Sequence, residues 1–260
     1  MMDESLLNYL NLYFLSIFPL TLFMVFYLTE KQKTLPTLIT VSPPIPSPTK
    51  NIFFYDFETN GLNPYFHDVI EIGIKKMESE SHYTTIVIPE IHPEICREGG
   101  LYTYVPEKIT EITGITNKLI REEGIPELEA FENMFTYILE HTDKEGPIYL
   151  VAHNGRGFDD IFLRKYMDKF PKFRLLFQRF RFVDSMLLSK LFLRNEYVSM
   201  KILTTKYRIE NKQAHRAMGD VNALEELYTK LCSEYSIHKH YNDNYYLLHP
   251  ESIIQECRIE

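Results

Sequence analysis

The sequence predicts one α/β domain, a mixed sheet flanked by helices, with an N-terminal hydrophobic helix ahead of it. Three observations predict this. Buried-strand patterns crowd the stretch from Asn51 to Pro89, helical periodicity dominates from Pro126 onward, and residues 6–28 contain no charge at all. With 260 residues, 45% of them hydrophobic, the chain can bury one sizeable core, which excludes wholesale disorder.

Leu6 to Leu28, LLNYLNLYFLSIFPLTLFMVFYL, would reach about 35 Å as a helix and so cross a bilayer core with some tilt. Asp3 and Glu4 precede it and no small-residue cleavage site follows, so an uncleaved anchor over residues 1–30 is favoured over a cleaved signal or a buried core helix. Lys31 and Lys33 follow the apolar run, and this bias predicts a single-pass membrane protein with its catalytic domain facing the cytoplasm; without an anchor the domain would simply be cytoplasmic. Residues 31–50 end in VSPPIPSPTK, whose four prolines suit a semi-rigid extended linker. The domain itself is expected over 51–232, and 233–260 form a C-terminal tail to which the sequence assigns no role.

Within the domain, Asn51–Phe57, Val69–Met77 and Tyr83–Pro89 have the pattern of strands, with turns at Asn60-Gly61 and Asn63-Pro64. Pro126–Thr142 carries Leu128, Phe131, Phe135, Ile138 and Leu139 at helical spacing. A Gly146-Pro147 break and an apolar strand, Ile148–Ala152, come next. Helices are expected over Asp160–Lys169, Asp184–Leu193, Ser199–Tyr207 and Arg216–Tyr235, the last with Leu224, Leu227, Tyr228 and Leu231 on one face. Cys96, Cys232 and Cys257 have no paired spacing, which argues against a disulfide framework or a zinc knuckle and for a reducing compartment. A net charge of −8 excludes a generic basic coat for nucleic acid.

Chemistry concentrates in three segments. In FFYDFETNGLNP, Asp56 and Glu58 lie two apart on a strand, so both carboxylates project from one face. Such a pair at the end of an apolar strand is costly unless cations or hydrogen bonds offset it. In VAHNGRGFDDIFL a buried strand enters a Gly-containing loop and Asp159 opens a helix, while in AHRAMGDVNALEEL His215 precedes Asp220 by five positions. That step does not place both on one helix face, so His215 belongs to the preceding loop and Asp220 to the helix. Four carboxylates, Asp56, Glu58, Asp159 and Asp220, are hard oxygen donors and too much negative charge to gather without divalent cations, which points to two Mg²⁺ or Mn²⁺ ions. His215 could take a proton from an attacking water.

The three segments resemble the motifs of the DEDDh 3′-to-5′ exonucleases, the superfamily of polymerase proofreading subunits and three-prime repair exonucleases. DFETNGL is similar to the first motif, HNGRGFD to the second and HRAMGD to the third, while ITEITGIT at 109–116 is similar to a loop before the family's first long helix. The resemblance covers roughly residues 51–232. It implies a ribonuclease H-like fold, Asp56, Glu58, Asp159 and Asp220 as catalytic metal ligands and His215 as general base. It also implies contacts of Thr59 and Leu62 with the 3′-terminal nucleotide, and a substrate-orienting role for Asn154. The six positions from His153 to Asp159 look more like the repair branch than the common proofreading form. The implied partner is a DNA or RNA 3′ end, in addition to a membrane through residues 6–28.

Two other classes stay open: a non-catalytic nucleic-acid-binding or scaffolding domain, and a proofreading subunit for a separate polymerase. Between Arg164 and Arg181, seven bases face a single acid, Asp168. Following the second motif directly, this run is expected on a helix beside the cleft, where Lys169, Lys172 and Arg174 would draw in a phosphate backbone while Phe170, Phe173, Phe177 and Phe180 pack inward.

Overall fold

A computed structural model of the protein describes residues 51–89, 97–98, 101–102, 104–143, 145–194 and 197–258. The expected anchor and linker lie outside these residues; among the described residues no helix is long and apolar enough to cross a membrane.

Side-chain alternation along β1 (Ile52–Thr59) divides the molecule. Phe53, Tyr55 and Phe57 point into one core and Ile52 and Phe54 into another, with Asp56 and Glu58 continuing the second face. β2 (Val69–Lys76) and β3 (His82–Ile88) complete an antiparallel meander, in which Asp56 pairs with Gly73 and Glu58 with Glu71 before the register slips at Thr59. A separate ribbon joins β4 (Arg97–Glu98) and β5 (Leu101–Tyr102). β6 (Ile125–Pro126) lies parallel to β3, β7 (Ile148–Ala152) parallel to β1 and β8 (Phe180–Asp184) parallel to β7, so the six-stranded sheet has the order β6-β3-β2-β1-β7-β8.

The helices, in chain order, are α1 (Glu107–Thr113), α2 (Asn117–Glu123), α3 (Glu127–Glu140), α4 (Asp159–Met167), α5 (Arg174–Phe177), α6 (Ser185–Phe192), α7 (Met200–Tyr207), α8 (Ala217–His238), α9 (Tyr245–Leu248) and α10 (Pro250–Glu256). On one face of the sheet Phe131 and Phe135 of α3 and Phe162 and Tyr166 of α4 bury the odd-numbered side of β1, Phe131 stacking on Tyr166 at 3.8 Å between ring centres. On the other, Leu224, Leu227, Tyr228 and Leu231 of α8 cover Ile52, Phe54 and Val151.

Three differences from the sequence expectation have local causes. The run from Arg164 to Arg181 is not one helix. α4 ends at Met167, a 3₁₀ turn at Pro171–Phe173 and the single turn of α5 follow, and Phe180–Asp184 is an unforeseen strand. Pro171 cannot continue a helix from α4, and the four phenylalanines that mimic helical spacing all pack into the α3–α4 core. Two of the three lysines in that run are committed to α3: Lys169 lies 3.7 Å from Glu127, and Lys172 pairs with Glu132. The ITEITGIT segment is largely helical, α1 ending on Gly114 in the left-handed region and Thr116 capping α2 by accepting from the Leu119 amide at 3.0 Å.

The segment beyond residue 232 folds back onto the same core. α8 continues to His238, Tyr246 and Ile253 are each 1% exposed, and the hydroxyls of Tyr235 and Tyr246 both donate to Glu256. Cys232 and Cys257 are free thiols.

Gly73 lets α8 approach the sheet beside Asp56. A Cβ there would lie 2.8 Å from the Ala217 carbonyl carbon and 2.9 Å from the Ala217 Cβ. Gly73→Ala is therefore expected to lift the start of α8 from the sheet and to destabilise the fold by about 1–3 kcal/mol, the usual cost of overpacking. Urea unfolding of the parent and the variant measures this, and equal midpoints would show that the helix start yields freely.

Candidate active site

The acid pair on β1 meets α8 because the first turn of that helix is pinned over β1 and β2. Glu71, 4% exposed among the apolar residues that begin β2, accepts from the Arg216 guanidinium at Nε (3.1 Å) and Nη2 (2.7 Å) and from the Ala217 amide at 2.9 Å. One carboxylate thus caps the helix and clamps the residue before it. Asp220 lies in the first turn of α8, its Oδ1 accepting from Asn211 Nδ2 at 2.6 Å and its Oδ2 from the His215 amide at 3.0 Å.

His215 is exposed on the turn before α8, with φ +62°, a left-handed conformation that a residue with a Cβ adopts only when its surroundings impose it. Gly219 makes room for this turn, since a Cβ at Gly219 would fall 2.2 Å from the Gln213 carbonyl oxygen. Donor atoms of Glu58, His215 and Asp220 all come within 4.8 Å of one another.

The fourth carboxylate arrives from the opposite helix layer. Asp159, 3% exposed, opens α4 and accepts from the Phe57 amide at 3.1 Å, which ties it to β1 between Asp56 and Glu58. The preceding loop hangs on Asp184 at the end of β8, whose two oxygens accept from the amides of Asn154 (3.0 Å), Arg156 (3.1 Å) and Met186 (2.9 Å). Asp160, one residue on, accepts from the buried Tyr55 hydroxyl instead.

Burial and mutual repulsion raise every member of this carboxylate set. Glu58 is pushed up to about 8 by desolvation and by Asp220, Glu71 and Asp159, with Arg216 acting against them. Asp159 is pushed up to about 8, mainly by desolvation, and Asp56 stands well above its ordinary value through desolvation and the charges of Asp159, Glu58, Asp220 and Glu71. Asp220 is raised by desolvation, against the hydrogen bonds from Asn211 and His215. The guanidinium that offsets Glu58 is already committed to Glu71. An all-oxygen set this short of positive charge fits hard divalent cations.

The remaining sequence candidates occupy different settings. Thr59 is 6% exposed and its hydroxyl donates to the Gly61 carbonyl at 2.7 Å, closing the turn after β1. Leu62 is 79% exposed on that turn, beside exposed Tyr65 and Phe66. Asn154 is exposed, with φ +65°, at the start of the loop that Asp184 holds. Sequence reasoning missed Glu71, Arg216, Asn211 and Asp184. Glu71 carried a signal, an acid in VIEIGIKK where an unpaired charge would be too costly to bury; the other three carried none, because no local pattern marks the pairing of Arg216 with Glu71, of Asp184 with the Asn154 and Arg156 amides, or of Asn211 with Asp220 across an irregular turn.

Comparison with known proteins agrees with this geometry. The family described as Exonuclease (RNase_T) matches residues 53–228. The chain is 27% identical over 179 residues to the PolC-type DNA polymerase III of Mycoplasma genitalium, covering 67% of this chain and 11% of that protein. It is also 27% identical over 190 residues to the chloroplastic/mitochondrial exonuclease DPD1 of Arabidopsis thaliana, covering 68% and 54%. The chain thus spans about half of one relative and a small part of the other. Among solved structures, E. coli exonuclease I in complex with a dT13 oligonucleotide superposes with a TM-score of 0.55 at 20% identity, over 73% of this chain and 42% of that one. A 3′-exonuclease recognising a histone mRNA stem-loop superposes with a TM-score of 0.53 at 16% identity, over 71% and 64%. These two likenesses are of fold. With three motifs in order, an acid set gathered on one sheet and a family match across two thirds of its length, the chain belongs to the exonuclease family, as a DEDDh-type member with a ribonuclease H-like fold.

Proposed function

We propose that the protein hydrolyses phosphodiester bonds at nucleic-acid 3′ ends, releasing mononucleotides in a reaction that needs two divalent cations. The observation that carries this reading is the convergence of Asp56, Glu58, Asp159 and Asp220, with His215 beside them, where β1 meets α4 and α8. Asp56, Glu58, Asp159 and Asp220 would hold Mg²⁺ or Mn²⁺, which when bound lowers the pKa of an attacking water and stabilises the leaving oxygen.

The chain's own residues supply position and proton transfer. The Phe57 amide and the Asn211 side chain hold Asp159 and Asp220, and the Glu71–Arg216 clamp keeps the start of α8 over the acid pair. A ring nitrogen of His215, exposed on its turn and close to Glu58 and Asp220, accepts the water's proton. A relative that is a DNA polymerase supports a DNA substrate, whereas the stem-loop enzyme supports RNA, so both belong in the test.

With 5′-labelled DNA and RNA oligonucleotides and Mg²⁺, products should shorten stepwise from the 3′ end, and chelation should stop the reaction. Asp56→Ala, Glu58→Ala, Asp159→Ala and Asp220→Ala should each abolish turnover. His215→Ala should lower kcat by about 10²–10⁴-fold, the span of general acid–base catalysis. Glu71→Gln should cost about 10–100-fold, as loss of a residue that orients metal ligands does. Internal cuts, shortening from the 5′ end, or full activity in chelator would overturn the reading.

The raised carboxyls also set a pH dependence. In the metal-free fold they keep protons at pH values where the unfolded chain has already released them, so the folded state binds more protons and stability falls as pH rises from roughly 4 toward about 8. Without metal, Tm is expected to be lower near pH 8 than near pH 5, and Mg²⁺ or Mn²⁺ should raise Tm more at the higher pH. Thermal unfolding in chelator and in metal checks both signs; a Tm in chelator that rises over this range would count against the crowded acid set.

A further inference from the structure

The outer edge of the sheet carries a second charged feature, separate from the acid cluster. A groove of about 550 Å³ runs along β8 between α4 and α10, and Arg156, Arg164, Arg181 and Arg258 line it. All four are exposed, and among the described residues none forms a salt bridge: Arg164 lies 4.1 Å over the Phe182 ring, and Arg181 donates to the carbonyls of Gln178 and Phe180. The two acids in the groove are already engaged, Asp184 by three backbone amides and Asp160 by the Tyr55 hydroxyl.

We propose that this groove binds the phosphodiester backbone of the strand whose 3′ end lies at the carboxylate cluster. The inference deepens the exonuclease reading and rests on it. Four guanidiniums line the groove against two carboxylates, Asp160 and Asp184, that form no salt bridge with them among the described residues. The groove thus keeps an excess of positive charge in a chain of net charge −8, and the planar forks of the guanidiniums match phosphate oxygens. Among the described residues β8 is the last strand of the sheet, so amides on its outer edge meet no neighbouring strand there. Continuity with the cluster is built into α4: Asp159 turns to the Phe57 amide, while Asp160 beside it lines the groove. Arg156 sits in the loop that joins the two. The other wall comes from the C-terminal segment, through Arg258 and the helix before it.

The test replaces Arg164, Arg181 and Arg258 together by Gln in the purified full chain and follows hydrolysis of long oligothymidylate and oligouridylate, and of the p-nitrophenyl ester of thymidine 5′-monophosphate. KM for the long strands should rise about tenfold and the slope of its salt dependence should fall by about 2, three cations at roughly 0.7 each for a single strand. Turnover of the small ester should stay as in the parent. Loss on either oligonucleotide supports the groove, and the larger loss identifies the sugar. Unchanged KM and salt slope on both would overturn it, as would equal damage to the small ester. If the parent hydrolyses none of these substrates, the exonuclease reading fails by itself, and fluorescence anisotropy of the same oligonucleotides with parent and variant still decides the groove. Should the triple variant unfold, Arg258→Gln alone, whose slope should fall by about 0.7, replaces it.

Discussion

Four crowded carboxylates, Asp159 buried and Asp56, Glu58 and Asp220 half-buried, repel one another, and much of this fold consists of the means to hold them together. Asp56 and Glu58 come as a pair from one strand, but Asp159 and Asp220 must be brought from helices on opposite sides of the sheet. Each is restrained by a donor aimed at the charged form: the Phe57 amide at Asp159, Asn211 and the His215 amide at Asp220. These bonds lower the pKa values that burial raises, yet burial still dominates for both acids. The residual penalty is what a divalent cation would relieve, so the same crowding that weakens the metal-free fold favours metal binding.

Strand alternation explains why two separate cores are needed. The odd-numbered residues of β1 anchor α3 and α4, which fixes Asp159, whereas the even-numbered ones meet α8, which fixes Asp220. Either core alone would orient half of the set. Gly73 acts at the point where the second core gives way to the polar site, because Ala217 occupies the space that a side chain there would need. Glu71, opposite Glu58 in register, adds a fifth negative charge but brings Arg216 with it, so the helix cap and the local charge balance are one device.

Much of this arrangement was legible in the sequence, for a physical reason. Acids ending an apolar strand, an Asp at a helix start and a His–Asp step across a helix boundary are local patterns, and the elements that carry them lie where the periodicity put them. Strand β8 was hidden because Phe173, Phe177 and Phe180 mimic one helical stripe, although they belong to a 3₁₀ turn, a single helical turn and a strand. The partners of that run were hidden too, since Glu127 and Glu132 lie some forty residues upstream on α3. Asp184 holds the amides of Asn154 and Arg156, 30 and 28 residues upstream, which only the folded topology brings to it, and Asn211 reaches Asp220 across an irregular turn that no periodicity describes.

The distribution of charge then resolves an apparent conflict between a net charge of −8 and the polyanionic substrate we propose. Exposed charges are screened over about 8–10 Å at ordinary ionic strength, so what a strand meets at each point is local rather than the molecular total. Acids concentrate where cations would be held in the proposed reaction, and the lysines of the α4–α5 run are partly neutralised by Glu127 and Glu132 of α3. Arginines that form no salt bridge among the described residues collect instead at the β8 edge, where α10, which helps complete the second core, also closes the groove. The tail therefore has a structural role: without α10 the β8 edge would lose one wall and the second core the Ile253 side chain, and without α9 the Tyr235 ring would lose Tyr246 beside it.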